Sequence, residues 1–307
     1  MASATAGSLT MTQTADGPSG FANCIKLDCT TADTSIAAGE YFFLTQYFEG
    51  QDLQSIGKGV TGAKEITVSF YVKANAAFDF ACELYDYDNT RQISRLFSTT
   101  TDWVRHEFTF PADVDDGSSP FDDDNAASLQ LAFFLHGGST FTSGTLNTAA
   151  WANATSGNRA AGIDSFFSST DNNFFITGVQ MEVGSVATPF EHRSYGEEEE
   201  LCKRYFYQLG GQNLYQNLMD VHWINANTAV APFHHRPHLR AAPTITKLQD
   251  YGNLGPGTIG QTLSIDQSNG QNTQLGFQSG SGGTSGLTVI LRANNDSGVH
   301  ITLDAEL

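Results

Sequence analysis

The segment from Asp113 to Asn125 carries the densest group of candidate metal ligands in the chain. It contains six aspartates, namely Asp113, Asp115, Asp116, Asp122, Asp123 and Asp124. Hard cations prefer clustered carboxylate oxygens, so calcium is the metal that this loop predicts. The spacing lacks the glycine and the closing glutamate of an EF-hand loop. A solvated acidic loop without any metal is the alternative interpretation.

A second acidic group lies one strand earlier, where Glu83, Asp86 and Asp88 flank Tyr85 and Tyr87. A pair of carboxylates is what a glycosidase uses, one as acid and one as nucleophile or base. Aromatic rings beside carboxylates also bind sugars without cleaving them. The same residues are typical of a strand end and a turn. We therefore predict a ligand role for the two tyrosines and no catalytic residue.

Two tryptophans extend the set of candidate sugar-contacting aromatics. Trp103 precedes an alternating segment, and Trp151 lies in the Ser/Thr/Asn/Gly-rich stretch 138–170. Aromatic rings stack on the apolar faces of sugars at little cost in conformational entropy. Long loops often carry function, which makes Trp151 the strongest of the four candidates. Burial in the core is the alternative for each of them.

Three histidines, His234, His235 and His238, have the right chemistry for a metal but an unsuitable arrangement. Adjacent residues on a strand point to opposite faces, and prolines interrupt the segment. A surface or interface cluster is the simpler interpretation. The chain also lacks a nucleophile elbow, a phosphate-binding loop and a dinucleotide fingerprint.

Short strands must position these side chains. In Ile66–Lys73 apolar residues alternate strictly with polar ones or Tyr71, which is typical of a half-buried strand. At least eight such segments precede Tyr195, with no strand–helix alternation, and this predicts a jelly-roll β-sandwich over residues 1–195. Four glutamates followed by Lys203 and Arg204 predict a short helical linker over 196–204. Residues 205–307 then form a second, smaller β-sandwich.

Charge and composition exclude several classes of protein. The 307 residues have a formal net charge of −18, and most of the excess acid lies before Tyr195. Such a surface repels phosphates, which argues against nucleic acid and anionic membranes as partners. The chain has no apolar run long enough to span a bilayer, so membrane insertion is not expected. Residues 1–10 do not resemble a signal peptide. The four cysteines lack zinc-site spacing and are expected to be reduced.

Several segments together resemble known proteins. Residues 1–195 resemble the jelly rolls of carbohydrate-binding modules. The similarity lies in Ser19–Leu27, Ile66–Lys73, Trp103–Phe110 and Phe174–Gly184. More specifically, Ile176–Gly196 resembles a segment of virion structural proteins from tailed bacteriophages, notably marine and cyanobacterial ones.

The similarity to phage proteins continues downstream. An acidic turn, a cysteine and an Arg-Tyr-Tyr-like run follow that segment in the phage proteins, as Glu197–Glu200, Cys202 and Arg204–Tyr207 do here. Phe233–Thr244 is similar to a Phe-Pro-x-x-Met-Arg-x-x-Pro-Thr element of the same proteins. It departs from that element with His234 in place of proline, with an additional Arg-Pro-His, and with Leu239 in place of methionine.

This resemblance implies a non-enzymatic virion component, assembled in the host cytoplasm and located in the virion. A tail fibre or appendage that attaches to a host-surface glycan is the leading expectation, with loops 111–125 and 138–170 presented to the ligand. The implied partners are other virion proteins and further copies of the chain in a homotrimer. A head decoration or purely structural protein is one alternative, and the glycan-binding part of a polysaccharide depolymerase is another.

Overall fold

The computed structural model describes residues 2–114 and 120–307. These residues form two compact units, and the chain passes from the first to the second between Glu191 and His192. The sequence predicts the end of the first domain at Tyr195. The structure is 45% strand and 9% helix, which confirms the predicted all-β fold. No helix in the described ranges is long and apolar enough to cross a membrane.

Unit 1 contains eleven strands among its described residues. They are β1 (Ala2–Ala4), β2 (Ser8–Thr14), β3 (Cys24–Thr31), β4 (Tyr41–Glu49), β5 (Ile66–Ala74), β6 (Asp79–Asp86), β7 (Arg91–Ser98), β8 (Val104–Phe110), β9 (Ala127–Gly137), β10 (Ala152–Asn153) and β11 (Asn173–Val183). Two four-residue helices, α1 (Gly50–Leu53) and α2 (Ser139–Thr142), lie between strands. Single 3₁₀ turns cover Gln54–Ile56, Ser156–Asn158 and Phe166–Ser168.

The strands form two sheets packed as a jelly-roll sandwich. Sheet A has the order β1-β4-β9-β6-β7-β10, and sheet B has the order β2-β3-β11-β5-β8. Alternate residues of each strand fill the space between them, as Phe80, Cys82 and Leu84 of β6 do. The residues in between, such as Ala81 and Glu83, therefore face the outer side of sheet A.

In the hairpin of β6 and β7, the sequence predicted the turn but not the second strand. The turn-like composition of residues 86–90 is confirmed, since β6 ends at Asp86 and β7 begins at Arg91. Thr90 takes a positive φ of 54°, which closes the turn. The strand β7 itself was missed, although Ile93 and Phe97 are buried in the core.

The sequence predicts that residues 138–170 form a loop presented to a ligand, but much of this segment is packed onto sheet A. Phe141, Ala160 and Ile163 pack against Phe43 and Phe134 on the outer side of sheet A. The segment also contributes α2, β10 and two 3₁₀ turns. It therefore covers one end of the outer face of sheet A and leaves the other end open.

After β11 the chain folds back over the outer side of sheet B as a short strap, residues 184–191. The Thr67 hydroxyl donates to the Gly184 carbonyl at 2.7 Å, and the Arg105 guanidinium donates to the Thr188 carbonyl at 2.6 Å. The Phe190 ring meets the Phe21 ring at 5.1 Å. The strap is why Thr67 and Ser69, which alternate to the outer side of β5, are nevertheless buried.

Unit 2 begins with a helix and continues as strands. Its described elements are α3 (Tyr195–Lys203), β12 (Phe206–Gly210), β13 (Asn217–Trp223), β14 (Ala229–His234), β15 (Thr244–Leu248), β16 (Tyr251–Leu254), β17 (Thr262–Ser268), β18 (Asn272–Gln278), β19 (Thr288–Ala293) and β20 (His300–Asp304). Between β16 and β17, Thr258 makes an isolated antiparallel bridge with Ser281.

The strands of unit 2 also form two sheets. Sheet C has the order β12-β20-β15, and sheet D has the order β16-β19-β13-β14-β18-β17. Val221, Trp223, Phe277 and Leu291 belong to the buried cluster of this unit. The smaller second sandwich is thus present as predicted. Helix α3 starts with a capping box, in which Ser194 and Glu197 satisfy each other's backbone N–H groups.

Candidate functional site

The open end of the outer face of sheet A holds a row of side chains from four adjacent strands. Strand register places Tyr47 of β4 opposite Gln130 of β9, Gln130 opposite Tyr85 of β6, and Tyr85 opposite Gln92 of β7. Tyr87 follows at the end of β6. We call Tyr47, Tyr85, Tyr87 and Gln130 the tyrosine face.

The Tyr87 ring packs against the other two tyrosine rings of this face. The centroid of Tyr87 lies 5.0 Å from that of Tyr85 and 5.7 Å from that of Tyr47. Tyr87 is 44% exposed, whereas the other two are half-buried. Burial raises the pKa of the Tyr87 hydroxyl, and Tyr47 raises it further. The Tyr87 hydroxyl therefore stays protonated and able to donate a hydrogen bond at neutral pH.

Gln130 lies between two of these rings and is completely buried. In the described part of the chain, neither its amide nitrogen nor its amide oxygen has a hydrogen-bond partner. An unsatisfied buried amide costs about 1–3 kcal/mol, so such groups are uncommon. A ligand group that both donates and accepts, such as a hydroxyl, is chemically suited to it.

A buried ion pair holds the tyrosine face from one side. The Arg159 guanidinium donates to both oxygens of Glu83, at 2.8 and 2.6 Å, and its central carbon lies 4.5 Å from the Tyr85 ring centroid. Burial raises the pKa of the Glu83 carboxyl, and the charge of Arg159 opposes that rise. Burial alone would lower the pKa of Arg159, but Glu83 outweighs it and the net shift is upward.

A second buried ion network fixes the other side of the β6–β7 turn. The Lys58 ammonium lies 2.6 Å from Asp86 and 3.1 Å from Asp113, and Arg91 contacts Asp113 at 2.7 Å. Lys58 also lies 5.6 Å from the Trp151 ring centroid. One ammonium thus joins the end of β6, the loop after β8 and the loop before β10.

The predicted aromatic candidates end up in three different places. Tyr85 and Tyr87 lie together on the tyrosine face. Trp151 is only 7% exposed, and its indole N–H donates to the Pro111 carbonyl at 2.9 Å, so the expectation of an exposed ring is wrong. Trp103 lies against sheet B, with the Lys73 ammonium 5.3 Å from its ring centroid.

The carboxylates of the β6 region do not form a catalytic pair. Glu83 and Asp86 are three residues apart along the strand and so point to opposite faces of sheet A. Each is already bound to a cation. Asp88 is exposed and accepts a hydrogen bond from the Asp122 backbone.

The six aspartates predicted as calcium ligands are not one group. Asp113 is buried, and both of its oxygens bind Arg91 or Lys58, which removes it from a calcium site. Asp122, Asp123 and Asp124 are exposed. Asp115 and Asp116 lie outside the described residues. Calcium binding at the remaining loop stays a prediction.

The structure does not gather the three histidines. His234 and His238 are exposed, whereas His235 is buried with its ring against Tyr207 and Phe233. Among the described residues, ligand atoms come together instead at Asp33, Glu40 and His136, within 4.8 Å of one another. There Thr5 donates to Asp33 at 2.9 Å, and His136 meets the Ser165 hydroxyl at 2.8 Å, so hydrogen bonds already join these side chains.

Sequence reasoning missed Tyr47, Gln130 and Arg159. Gln130 had a signal, because it is a polar residue in an otherwise apolar strand. Tyr47 had a weaker one, as one of several aromatics in β4. Arg159 had none, since it comes from the segment before the 3₁₀ turn at Phe166.

Comparisons with known proteins identify no family. No family model matches the chain, and no curated protein sequence matches it. Several similar solved structures are carbohydrate-binding modules. A family 4 module shares 11% identity and a TM-score of 0.31, covering 58% of this chain and 79% of the module.

Two further structures extend this similarity. A family 11 module from Clostridium thermocellum, in complex with a β-1,3-1,4-mixed-linked tetrasaccharide, shares 13% identity and a TM-score of 0.30 over 61% of this chain and 89% of the module. The tandem CBM22-1–CBM22-2 domain of Paenibacillus barcinonensis Xyn10C shares 10% identity and a TM-score of 0.30. The match covers 99% of this chain and 91% of the tandem domain.

Proposed function

We propose that the tyrosine face binds a saccharide, and that the chain is a non-enzymatic component of a tailed-bacteriophage virion that attaches to a host-surface glycan. One observation carries the binding proposal. Gln130 lies buried between Tyr47 and Tyr85 with both amide atoms unpartnered in the described structure, and the Tyr87 ring is exposed beside it.

The chemistry of the face suits a sugar. The exposed Tyr87 ring offers an apolar surface for the C–H groups of a pyranose, and its rigid side chain loses little entropy on binding. Because Gln130 is completely buried, the Tyr47 and Tyr85 rings would have to move apart for a sugar hydroxyl to exchange hydrogen bonds with its amide. Because most of the acidic excess lies before Tyr195, an uncharged glycan is favoured over a sulfated or uronic one.

The virion part of the proposal rests on sequence. Residues 176–207 resemble the phage segment described above, and the same resemblance supports a homotrimeric tail fibre or appendage with other virion proteins as neighbours. A head decoration protein and the glycan-binding part of a depolymerase remain the competing roles.

Titration of the full chain with neutral and acidic polysaccharides tests the binding site. We expect a neutral glycan to bind, and Tyr87→Ala and Tyr85→Ala each to weaken its affinity roughly tenfold, equivalent to about 1.4 kcal/mol. Tyr71→Ala, on the outer side of sheet B, is the matched control and should leave the affinity unchanged. Equal affinity in all variants would show that the tyrosine face is not the site.

Two further measurements test the rest. Release of reducing ends from the bound polysaccharide would overturn the non-enzymatic assignment and favour the depolymerase role. Mass spectrometry of purified particles from the phage that encodes the chain should detect it, and its absence from those particles would overturn the virion assignment.

A further inference from the structure

Helix α3 of unit 2 is unusually exposed. None of its residues from Tyr195 to Lys203 is buried. Tyr195 is 84% exposed and Leu201 is 51% exposed. Isolated helices shorter than about 12–15 residues are only marginally stable in water, because the free-energy cost of nucleation exceeds the stabilisation from a few hydrogen bonds. The capping box stabilises one end of α3, but apolar contacts that would hold its length are missing from unit 2.

An open groove runs beside this helix. It has a volume of about 860 Å³ and lies between α3 and the turn at Pro237 and His238. Gly196, Glu200, Leu201 and Arg204 form the helix side of the groove. Gly196, Glu200 and Arg204 follow one another at a spacing of four residues, and Leu201 lies three residues before Arg204, so these positions share one face of the helix. The groove thus places an apolar side chain beside charged ones, within reach of a partner.

The charges of α3 are divided along its length. Glu197, Glu198, Glu199 and Glu200 occupy its first two turns, and Lys203 and Arg204 follow at its end. Inside the chain, Lys203 pairs with Glu199 at 3.4 Å and with Glu200 at 2.9 Å. All three of these side chains keep over a quarter of their surface exposed, so their charges still act outward. The helix is therefore acidic at one end and basic at the other.

We propose that the occupant of this groove is α3 of a second copy of the chain, packed antiparallel. In that arrangement the glutamates of each helix face Lys203 and Arg204 of its partner, and the Leu201 side chains enter the two grooves. A parallel arrangement would bring the four glutamates of each copy together and repel. Antiparallel packing also aligns the two helix dipoles favourably.

This inference names a surface of self-association, and it depends neither on glycan binding nor on the homotrimer proposed above. A two-fold contact gives an even number of copies, which distinguishes it from the three copies of a simple trimer. The chain can therefore bind glycan whether or not two copies pair through α3. One proposal can be wrong while the other holds, because binding and mass are measured separately.

Analytical ultracentrifugation over a range of concentrations measures the mass of the full chain in solution and so tests the pairing. We expect an even-numbered assembly, and Leu201→Glu should raise its dissociation constant at least about tenfold, as for the loss of an interface anchor. Leu254→Glu, an exposed leucine elsewhere in unit 2, is the matched control. A monomeric wild-type chain, or an assembly whose mass Leu201→Glu leaves intact, would overturn the proposal.

Charge reversal tests the antiparallel direction. The Glu199→Lys/Glu200→Lys variant and the Lys203→Glu/Arg204→Glu variant should each be monomeric alone, because their helices repel copies of themselves. Mixed in equal amounts, they should pair. Self-association of either variant alone, or failure of the mixture to pair while both keep wild-type circular dichroism, counts against the arrangement.

Discussion

The Arg159 guanidinium binds both oxygens of Glu83, and its central carbon lies 4.5 Å from the Tyr85 ring centroid. Arg159 comes from the segment that covers one end of sheet A, and Glu83 comes from the middle of β6. The pair therefore joins that covering segment to the strand that carries the proposed binding tyrosines. A side chain with no sequence signal thus becomes the lateral support of the site.

Breaking this pair should destabilise unit 1. Arg159→Met leaves a fully buried carboxylate without its cation, and such losses cost about 3–5 kcal/mol. Urea unfolding followed by tryptophan fluorescence measures the change. The double variant Glu83→Gln/Arg159→Met should recover part of the loss, because no buried charge remains.

Arg193→Met, which breaks an exposed pair with Glu198, is the control and should cost at most about 1 kcal/mol. A loss no larger than that control would show that the Glu83 pair is not a stabilising element.

Lys58→Met should also destabilise unit 1. The substitution keeps the apolar contact with Phe121 and Trp151 but leaves Asp86 and Asp113 buried with less positive charge. We expect a loss of about 3–5 kcal/mol in the free energy of unfolding. Lys64→Met, at an exposed lysine close by, should change it by under about 0.5 kcal/mol. Equal effects of the two substitutions would contradict a structural role for the network.

The stability of unit 2 should decrease in mild acid because of His235. Burial lowers the pKa of its imidazole, the neighbouring His238 and His234 lower it further, and a hydrogen bond to the Gly270 carbonyl opposes them. The unfolded chain takes up this proton near pH 6.5, whereas the folded chain does so only at lower pH. Folding stability therefore falls as pH decreases from about 6.5 towards the folded pKa.

His235→Phe should reduce that pH dependence. Chemical unfolding at pH 7.5 and at pH 5 should show a smaller difference for this variant than for the wild type. His222→Phe, at an exposed histidine, should keep the wild-type difference. An unchanged difference in His235→Phe would mean that another group controls the response.

Glycines around Trp223 should not tolerate a side chain. A Cβ built on Gly283 would lie 2.2 Å from the Trp223 ring, so the ring or the loop must shift. We expect Gly283→Ala to cost about 1–3 kcal/mol, as for overpacking of a core. Gly196→Ala meets nothing within 4 Å and should be neutral or stabilising in helix α3. Thermal unfolding of the two variants gives the comparison, and a neutral Gly283→Ala would contradict this packing.

The sequence by itself determined the all-β class and most of the strands, because alternation reports which side of a sheet each residue faces. It also singled out Tyr85 and Tyr87 as candidates, since they lie at the start of a recognisable turn. In Ile66–Lys73 the alternation identified the inward residues, but Thr67 and Ser69 are buried as well. Their burial comes from the strap 184–191, which lies more than 100 residues away along the chain.

Only the tertiary structure decided which candidates form a site. Trp151 was the strongest candidate in the sequence, yet its ring packs beside Lys58 in the core. Gln130, Tyr47 and Arg159 become neighbours of Tyr85 through strand register and through a covering segment, and neither is encoded locally. Residue type and spacing report the local periodicity of the backbone, whereas register and loop packing depend on long-range contacts between distant segments. The pattern of side chains therefore predicted the sheets, and their pairing selected the tyrosine face.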